Sequence, residues 1–395
     1  MEKIAAPQRL TFETERRTRT DYIVTSALLA EPAVAGWQKR ETAIVYDSCL
    51  EHHHQRLLGD LGRKLSPIGS LAVAGGEGLK DISAVIRIMS FLSEIGLPKH
   101  GLLIAVGGGT VCDAVSLSAI LFRRGVSLAL VPTTLLAQID AAVGGKNGVN
   151  FERTKNLVGH FYHPETVVCD TSFIRTLPER DFVGGLAEAI KVLAVSDARR
   201  FHCSFRDRDL IPEAFSPDAL STLVADSVAM KLALLGEDPF ELSSRRLLNY
   251  GHAFAHNFEE ESQFDLSHGE AVLVGMTIEN TIAQELNLAS AEIDSLQAII
   301  TGLFTEQCRR YWIDRSELPP LLTRLRLARR NRLNLVCLRS IGDAEIIDDV
   351  DTTVMLGAWD RSRRILMGSN GERSASAWPA KVMSTSASSA PLTED

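Results

Sequence analysis

The chain has 395 residues, 45% of them hydrophobic and 23% charged, with a formal charge of −8. That balance describes an ordinary water-soluble globular protein of two or three domains, at about 150 residues each. It excludes the broad basic footprint of a nucleic-acid binder but leaves room for a local cationic pocket.

Residues Met1 to Arg19 are polar, include Glu13-Thr14-Glu15-Arg16-Arg17, and lack the apolar core of a signal peptide. No apolar run is expected to approach the roughly 20 residues that span a bilayer. The six cysteines, Cys49, Cys112, Cys169, Cys203, Cys308 and Cys337, form no Cys-x-x-Cys pair. Free thiols in a reducing compartment are therefore expected, and with them a cytoplasmic protein.

Residues 41–48 read as a buried strand, Leu57 to Leu65 as a helix, and Ser70 to Ala74 as a short apolar run. Asp81 to Ile95 has helical spacing. Leu102 to Val106 is the clearest strand, and Gly107-Gly108-Gly109 follows at once. Val111 to Phe122 reads as a helix and Leu128 to Pro132 as a strand. Strands alternating with helices predict a parallel α/β sheet.

After about residue 178 helical periodicity dominates, over Phe182–Leu193, Pro217–Leu235, Leu247–Glu260, Ala271–Leu286 and Ser290–Arg310, with one β-like run at Leu333–Leu338. The expected division is an N-terminal extension over 1–20, an α/β domain over 21–178 and a helical domain over 179–359. Residues 360–395 turn rich in Ser and Ala and are expected to be disordered.

Chemistry concentrates in four stretches. Glycines between a strand and a helix, as in Gly107-Gly108-Gly109, let backbone amides approach a pyrophosphate. Asp47, ending an earlier strand, is placed to accept hydrogen bonds from a ribose; an ordinary strand-ending turn explains it equally well. Pro132 to Asn156 gathers Gly144, Gly145, Lys146, Gly148, Lys155 and Asn156, a composition suited to an anion. With Arg124, Lys191, Lys231 and Arg245 it supplies enough cations for a phosphate and a carboxylate. The fourth stretch contains His252 and His256, four residues apart and so on one helical face, then His268-Gly269-Glu270. With Glu188 upstream, this gives four candidate ligands, Glu188, His252, His256 and His268, for a metal site with three ligands and an open position.

These stretches together resemble the 3-dehydroquinate synthase and sugar phosphate cyclase family, from about Asp47 to Val350. The resemblance rests on Gly107 to Asp113, Arg124-Gly125, Val131 to Asp140, Gly144-Gly145-Lys146, Lys155-Asn156, Arg175 to Arg180, Gly185 to Glu188, Leu247 to His252, and His268 to Val272. It implies an N-terminal Rossmann-like NAD-binding α/β domain and a mostly α-helical C-terminal metal-binding domain. It implies Zn or Co held by Glu188, His252 and His268. His256 and Glu241 match acid–base positions. NAD contacts carry over to Asp47, Glu77, Lys80, Gly108, Gly109, Asp113, Thr133, Thr134, Lys155 and Thr176. Substrate contacts carry over to Asp140, Lys146, Asn156, Lys191, Lys231, Arg245 and Asn249. Arg124 matches a residue that reaches a neighbouring subunit's site, which implies a homodimer.

The sequence departs from the family's pattern at Cys49, Asn147, Ala253, Ala255 and Arg329. The resemblance implies oxidation of a sugar phosphate, β-elimination of phosphate, reduction and an intramolecular aldol closure, a lyase reaction with NAD regenerated. Retention of Arg245, Asn249 and His256 points to the acidic substrate 3-deoxy-D-arabino-heptulosonate 7-phosphate, hence to 3-dehydroquinate and the shikimate pathway. The alternatives are a cyclase for a neutral sugar phosphate, of the 2-epi-5-epi-valiolone or 2-deoxy-scyllo-inosose synthase type, and a metal-dependent alcohol or glycerol dehydrogenase.

Overall fold

The computed structural model describes residues 18–152, 154–237, 244–328 and 331–368; the side chains of Glu237, Ser244, Arg245 and Ala328 stand outside that description. The first half contains β1 (Asp21–Thr25), β2 (Thr42–Asp47), β3 (Gly69–Val73), β4 (Leu102–Gly107), β5 (Ser127–Pro132), β6 (Lys146–Phe151), β7 (Thr154–Phe161) and β8 (Thr166–Asp170). Among them run α1 (Pro32–Trp37), α2 (Leu50–His53), α3 (Gln55–Leu65), α4 (Ile82–Glu94) and α5 (Gly109–Leu121).

Six strands form one sheet in the order β1-β8-β5-β4-β2-β3, with every pairing parallel. The central strand β4 is buried along its whole length, which is why its sequence is a continuous apolar run rather than an alternation. One face packs on α4 and α5, the other on α1 and α3 through Val34, Trp37, Leu61 and Leu65. From β2 the chain steps out to β3 and then crosses back to β4. The order of the strands reverses between β2 and β4, and a crevice opens there beyond their carboxyl ends, between Asp47 and Gly107.

The second half contains α6 (Glu179–Ser196), α7 (Ala198–Phe205), α8 (Pro217–Glu237), α9 (His252–Glu261), α10 (His268–Glu285), α11 (Glu292–Gly302), α12 (Glu306–Arg310), α13 (Leu318–Ala328) and α14 (Thr352–Gly368), with an antiparallel pair, β9 (Leu335–Ser340) and β10 (Asp343–Ile347). Every residue of α10 from Gly269 to Ala283 is buried. A helix apolar all round is a core element, and α6, α9, α11 and α14 pack around it. Two glycines set how closely. A Cβ on Gly275 would run into the Gly251 carbonyl oxygen, and one on Gly269 would meet the Gly184 backbone of α6.

The structure departs from the sequence reading in five places. The segment expected as one helix over Leu247–Glu260 is a 3-10 helix over Ser244–Asn249, then a left-handed turn at Gly251, then α9. The run Ser290–Arg310 divides into α11 and α12, because Thr305 caps a new helix by accepting from the Cys308 N–H. The stretch Pro132 to Asn156, read only as suited to an anion and given no elements beyond Pro132, includes a π-helical turn over Ala137–Ala141 and the β6–β7 hairpin. Contrary to the expected lack of a long apolar run, Pro217–Gly236 has mean hydropathy 1.5 and is long and apolar enough to cross a membrane. It packs on α6 and contributes the buried Lys231. Finally, the chain stays helical past residue 360, where disorder was expected to begin. Ser362 and Leu366 of α14 are buried, and residues 369–395 lie outside the described residues.

Candidate active site and metal centre

Two helix N-termini, the interiors of α6 and α8 and one π-helical turn build the site. Glu188 comes from the middle of α6 and is buried. His252 is the first residue of α9. It is aimed by Gly251, whose φ of +81° suits glycine and whose N–H donates to the buried Glu279 carboxylate at 3.0 Å. His268 opens α10. That end is fixed by a capping box between Ser267 and Glu270, and Glu270 also accepts from Arg180 Nε at 2.9 Å and Thr305 at 2.6 Å.

The ligand atoms of Glu188, His252 and His268 lie within 4.8 Å of one another, close enough to hold a metal ion. Glu188 Oε1 is 3.8 Å from His252 Nε2 and 3.5 Å from His268 Nε2. Both Glu188 oxygens are buried; Lys191 forms an ion pair with Oε2, and the two histidine Nε2 atoms face Oε1. His252 Nδ1 lies 3.2 Å from the Tyr250 carbonyl, so a proton held there leaves Nε2 for a cation. A second group, His256, Glu259 and His268, also meets the distance test. It shares His268, and its His256 is exposed.

The electrostatics favour a cation among the first three. Burial works against ionisation of Glu188, yet Lys191 and the histidines bring its pKa down to about 2. Burial and the Lys191 charge push His252 down to about 3. Burial would lower His268 as well, but the carboxylates of Glu188 and Glu259 raise it to about 10. One imidazole is thus neutral and the other draws positive charge. A divalent cation satisfies both, together with the buried carboxylate.

Next to this triad is a buried chain of charge. Asp140 sits in the π-helical turn, a distortion often found at functional positions. It accepts from Lys231 Nζ at 2.7 Å and lies 4.0 Å from Lys191 Nζ. Burial opposes ionisation of Asp140, but the two ammoniums hold it well below the usual carboxylate range. Burial lowers Lys231, whereas Lys191 is raised, despite burial, by Glu188 and Asp140. The His256 ring is 5.9 Å from His252 and 6.2 Å from His268, centroid to centroid.

Of the residues expected on the cofactor side, Asp47, Gly108 and Gly109 lie at the sheet's crevice. α5 starts at Gly109 with Gly108 as an N-cap that makes no side-chain bond, leaving first-turn amides for an anion. A Cβ on Gly109 would come within 3.0 Å of Ala141, and one on Gly108 within 3.2 Å of Thr134. Asp47 reaches the N–H groups of Cys49 and Gly75 at 3.1 and 3.4 Å. Lys80 pairs with Asp113 at 2.7 Å, and burial pushes Asp113 up to about 6 against that pairing. The buried Thr133 donates its N–H to the Gly107 carbonyl, while Thr134 Oγ1 caps the following turn. Thr176 lies 2.7 Å from His54 Nε2. Glu77 accepts from Asn150, and Lys155 pairs with Glu259 at 2.9 Å.

Other expected residues are exposed. Lys146 is exposed on β6, Asn156 is exposed in a left-handed conformation on β7, and Asn249 is exposed just before the Gly251 turn. Arg124 precedes β5, a strand's length of about 20 Å from the crevice end of the sheet. Glu241, Arg329 and the Arg245 side chain lie outside the described residues. Of the departures from the family pattern, Asn147 is buried and bonds to the Gly145 carbonyl at 3.0 Å, so its carboxamide serves the turn. Sequence reasoning missed Glu259, Glu270 and Glu279. All three are buried; Glu270 and Glu279 stand in the largely apolar α10, where a carboxylate is conspicuous, whereas Glu259 is followed by Glu260 and Glu261 and does not stand out.

Comparison with known proteins agrees with this geometry. Residues 70–184 match the family described as 3-dehydroquinate synthase N-terminal, and residues 185–310 match 3-dehydroquinate synthase C-terminal. A 3-dehydroquinate synthase from Xanthomonas oryzae pv. oryzae (strain MAFF 311018) is 35% identical over 305 residues, covering 73% of this chain and 80% of the relative. The 2-epi-5-epi-valiolone synthase from Streptomyces hygroscopicus subsp. jinggangensis 5008, solved with NAD⁺ and Zn²⁺, is 26% identical with a TM-score of 0.80 and covers 89% of this chain and 99% of its own. A 2-deoxy-scyllo-inosose synthase solved with carbaglucose-6-phosphate, NAD⁺ and Co²⁺ shares the fold at 23% identity and a TM-score of 0.73, covering 86% of this chain and 96% of its own. On the two family matches, which run without a gap through the nucleotide crevice and the Glu188, His252 and His268 triad, the chain belongs to the 3-dehydroquinate synthase family.

Proposed function

We propose that the protein is a 3-dehydroquinate synthase, converting 3-deoxy-D-arabino-heptulosonate 7-phosphate to 3-dehydroquinate with release of phosphate. Residues 21–178 serve as its NAD-binding domain and 179–359 as its metal- and substrate-binding domain. The observation that carries the reading is the buried chain from Asp140 through Lys231 and Lys191 to Glu188 and the two histidines. It places two buried ammoniums beside a cation site, as a substrate with both a phosphate and a carboxylate requires.

A divalent metal held by Glu188, His252 and His268 supplies a Lewis acid for the ring alcohol and its ketone. NAD at the Gly108–Gly109 turn supplies reversible hydride exchange. The chain's own residues do the rest. Lys191 and Lys231 hold the substrate's anionic groups, and Asp140 neutralises them between turnovers. His256, exposed beside the metal ligands, moves protons with Glu241, and Arg245 grips the carboxylate with Asn249. Lys146, Asn156 and Arg329 complete the substrate contacts, while Asp47, Glu77, Lys80, Asp113, Thr133, Thr134, Lys155 and Thr176 complete those to the cofactor. Arg124 is too far from the crevice of its own subunit to serve it, which supports a homodimer in which it serves the neighbour. The free cysteines fit a cytoplasmic, reducing setting.

A cyclase for a neutral sugar phosphate is the second reading, favoured by the likeness to the valiolone synthase. Phosphate release should be measured against the acidic sugar phosphate, glucose 6-phosphate and sedoheptulose 7-phosphate, with NAD well below substrate. The proposal expects turnover of the acidic sugar far beyond the NAD supplied. Faster turnover of a neutral sugar selects the second reading, and NADH accumulating one-for-one with product identifies a dehydrogenase.

A further inference from the structure

Glu259 is 2% exposed, on the same stripe of α9 as His252 and His256, seven and three residues further on. A carboxylate so buried is costly unless paired. One oxygen, Oε1, takes both partners: Lys155 Nζ at 2.9 Å and His268 Nδ1 at 3.5 Å. Lys155 comes from β7 and also lies over the Phe264 ring, 4.3 Å from its centroid, in the connection that delivers His268. The hairpin that carries Lys155 is pinned at its other strand to the cofactor crevice. The Asn150 N–H donates to the Lys80 carbonyl at 2.8 Å, and its carboxamide donates to Glu77 at 2.6 Å. Contacts therefore run from the crevice through Asn150 and Lys155 to Glu259 and His268.

We infer that Glu259 is a positioning residue: it fixes the proton of His268 on Nδ1, turns Nε2 toward the cation, and links metal binding to cofactor binding through Lys155. The inference rests on the metal and cofactor assignments above. A histidine that ligates through one nitrogen is oriented by the acceptor of its other N–H, and loss of such acceptors costs about 10–100-fold in metal affinity. Because Lys155 is shared between hairpin and helix, NAD should tighten the metal, and the metal should tighten NAD by the same factor.

The test is the Zn²⁺ affinity of the full-length protein, read by competition with a chromogenic chelator with and without NAD, no substrate being present. Glu259→Gln is expected to weaken Zn²⁺ by about 10–100-fold. Lys155→Met is expected to abolish the NAD-induced tightening seen in wild type. Should Glu259→Gln fail to fold, Lys155→Met on the partly exposed hairpin carries the test alone. Zn²⁺ affinity unchanged in Glu259→Gln, no NAD effect in wild type, or coupling retained in Lys155→Met each overturns the inference. A purely structural Glu259 would lower the unfolding midpoint of the metal-free protein and leave Zn²⁺ affinity where it was. Because no turnover is read, a wrong sugar phosphate would leave this result standing.

Discussion

The cofactor crevice and the metal centre are built on opposite principles. The crevice is mostly backbone: glycines, strand ends and the first turn of α5, where a Cβ would crowd Thr134 or Ala141. The metal centre is mostly charge, with four ionisable side chains from α6, α8, α9 and α10 and one from the π-helical turn arranged around Glu188. A backbone site tolerates changes of side chain around it but not of glycine. A charge site tolerates neither loss nor addition of a single charge, because each partner offsets the burial of the next.

The largest expected effect follows from removing one charge. Glu188→Gln keeps the shape but leaves the cation site with two neutral donors and Lys191 without its partner. Bound Zn²⁺, measured on the purified protein, should fall below one-tenth of stoichiometric, and phosphate release by about 10³-fold or more. Retained metal would show that the second group, around His256 and Glu259, holds it.

A smaller effect tests whether the charge site has its own dependence on backbone. Gly275→Ala touches no ionisable group, yet its Cβ collides with the Gly251 carbonyl and would push His252 away from His268. A loss of about 3 kcal/mol in urea unfolding is expected, together with weaker metal. Unchanged stability would mean that α9 and α10 separate without cost.

The smallest effect tests the half-buried Lys80–Asp113 pair of the crevice. Burial holds Asp113 up at about 6, above the ordinary aspartate value of 3.8. The folded state therefore binds a proton that the unfolded state has released, and stability from this group is whole below about pH 4 and lost as pH rises through about 6. The difference in unfolding free energy between wild type and Asp113→Asn should decline by about 1–3 kcal/mol across that window. A flat difference would place Asp113 in water.

What was legible in the sequence follows the same contrast. The parallel sheet could be read because β4 and β5 are buried on both faces and so appear as unbroken apolar runs ending in glycine or proline. The metal candidates could be read from spacing, but spacing alone left His256 beside His252 and His268, since all three rings lie within about two ring widths of each other. The break at Gly251 was hidden because Leu247 and Leu248 continue a helical pattern through it. The β6–β7 hairpin was hidden because glycines and asparagines that shape a hairpin also shape an anion loop. The buried carboxylates Glu259, Glu270 and Glu279 gave no periodic signal, since their partners come from other elements.

The edge strand β1 has a consequence for how the protein is made. Its sheet partner is β8, and Thr20, just before it, donates to the Pro164 carbonyl across 144 residues of chain. A ribosome adding roughly 5–20 residues each second leaves β1 exposed for about 7–30 s before its neighbour emerges. During that interval the strand's amides have no native sheet partner. The pairing of β1 with β8 is thus the last in the sheet to form although β1 is the first of its strands in chain order, and the nascent chain carries an open edge over the 144 residues between Thr20 and Pro164.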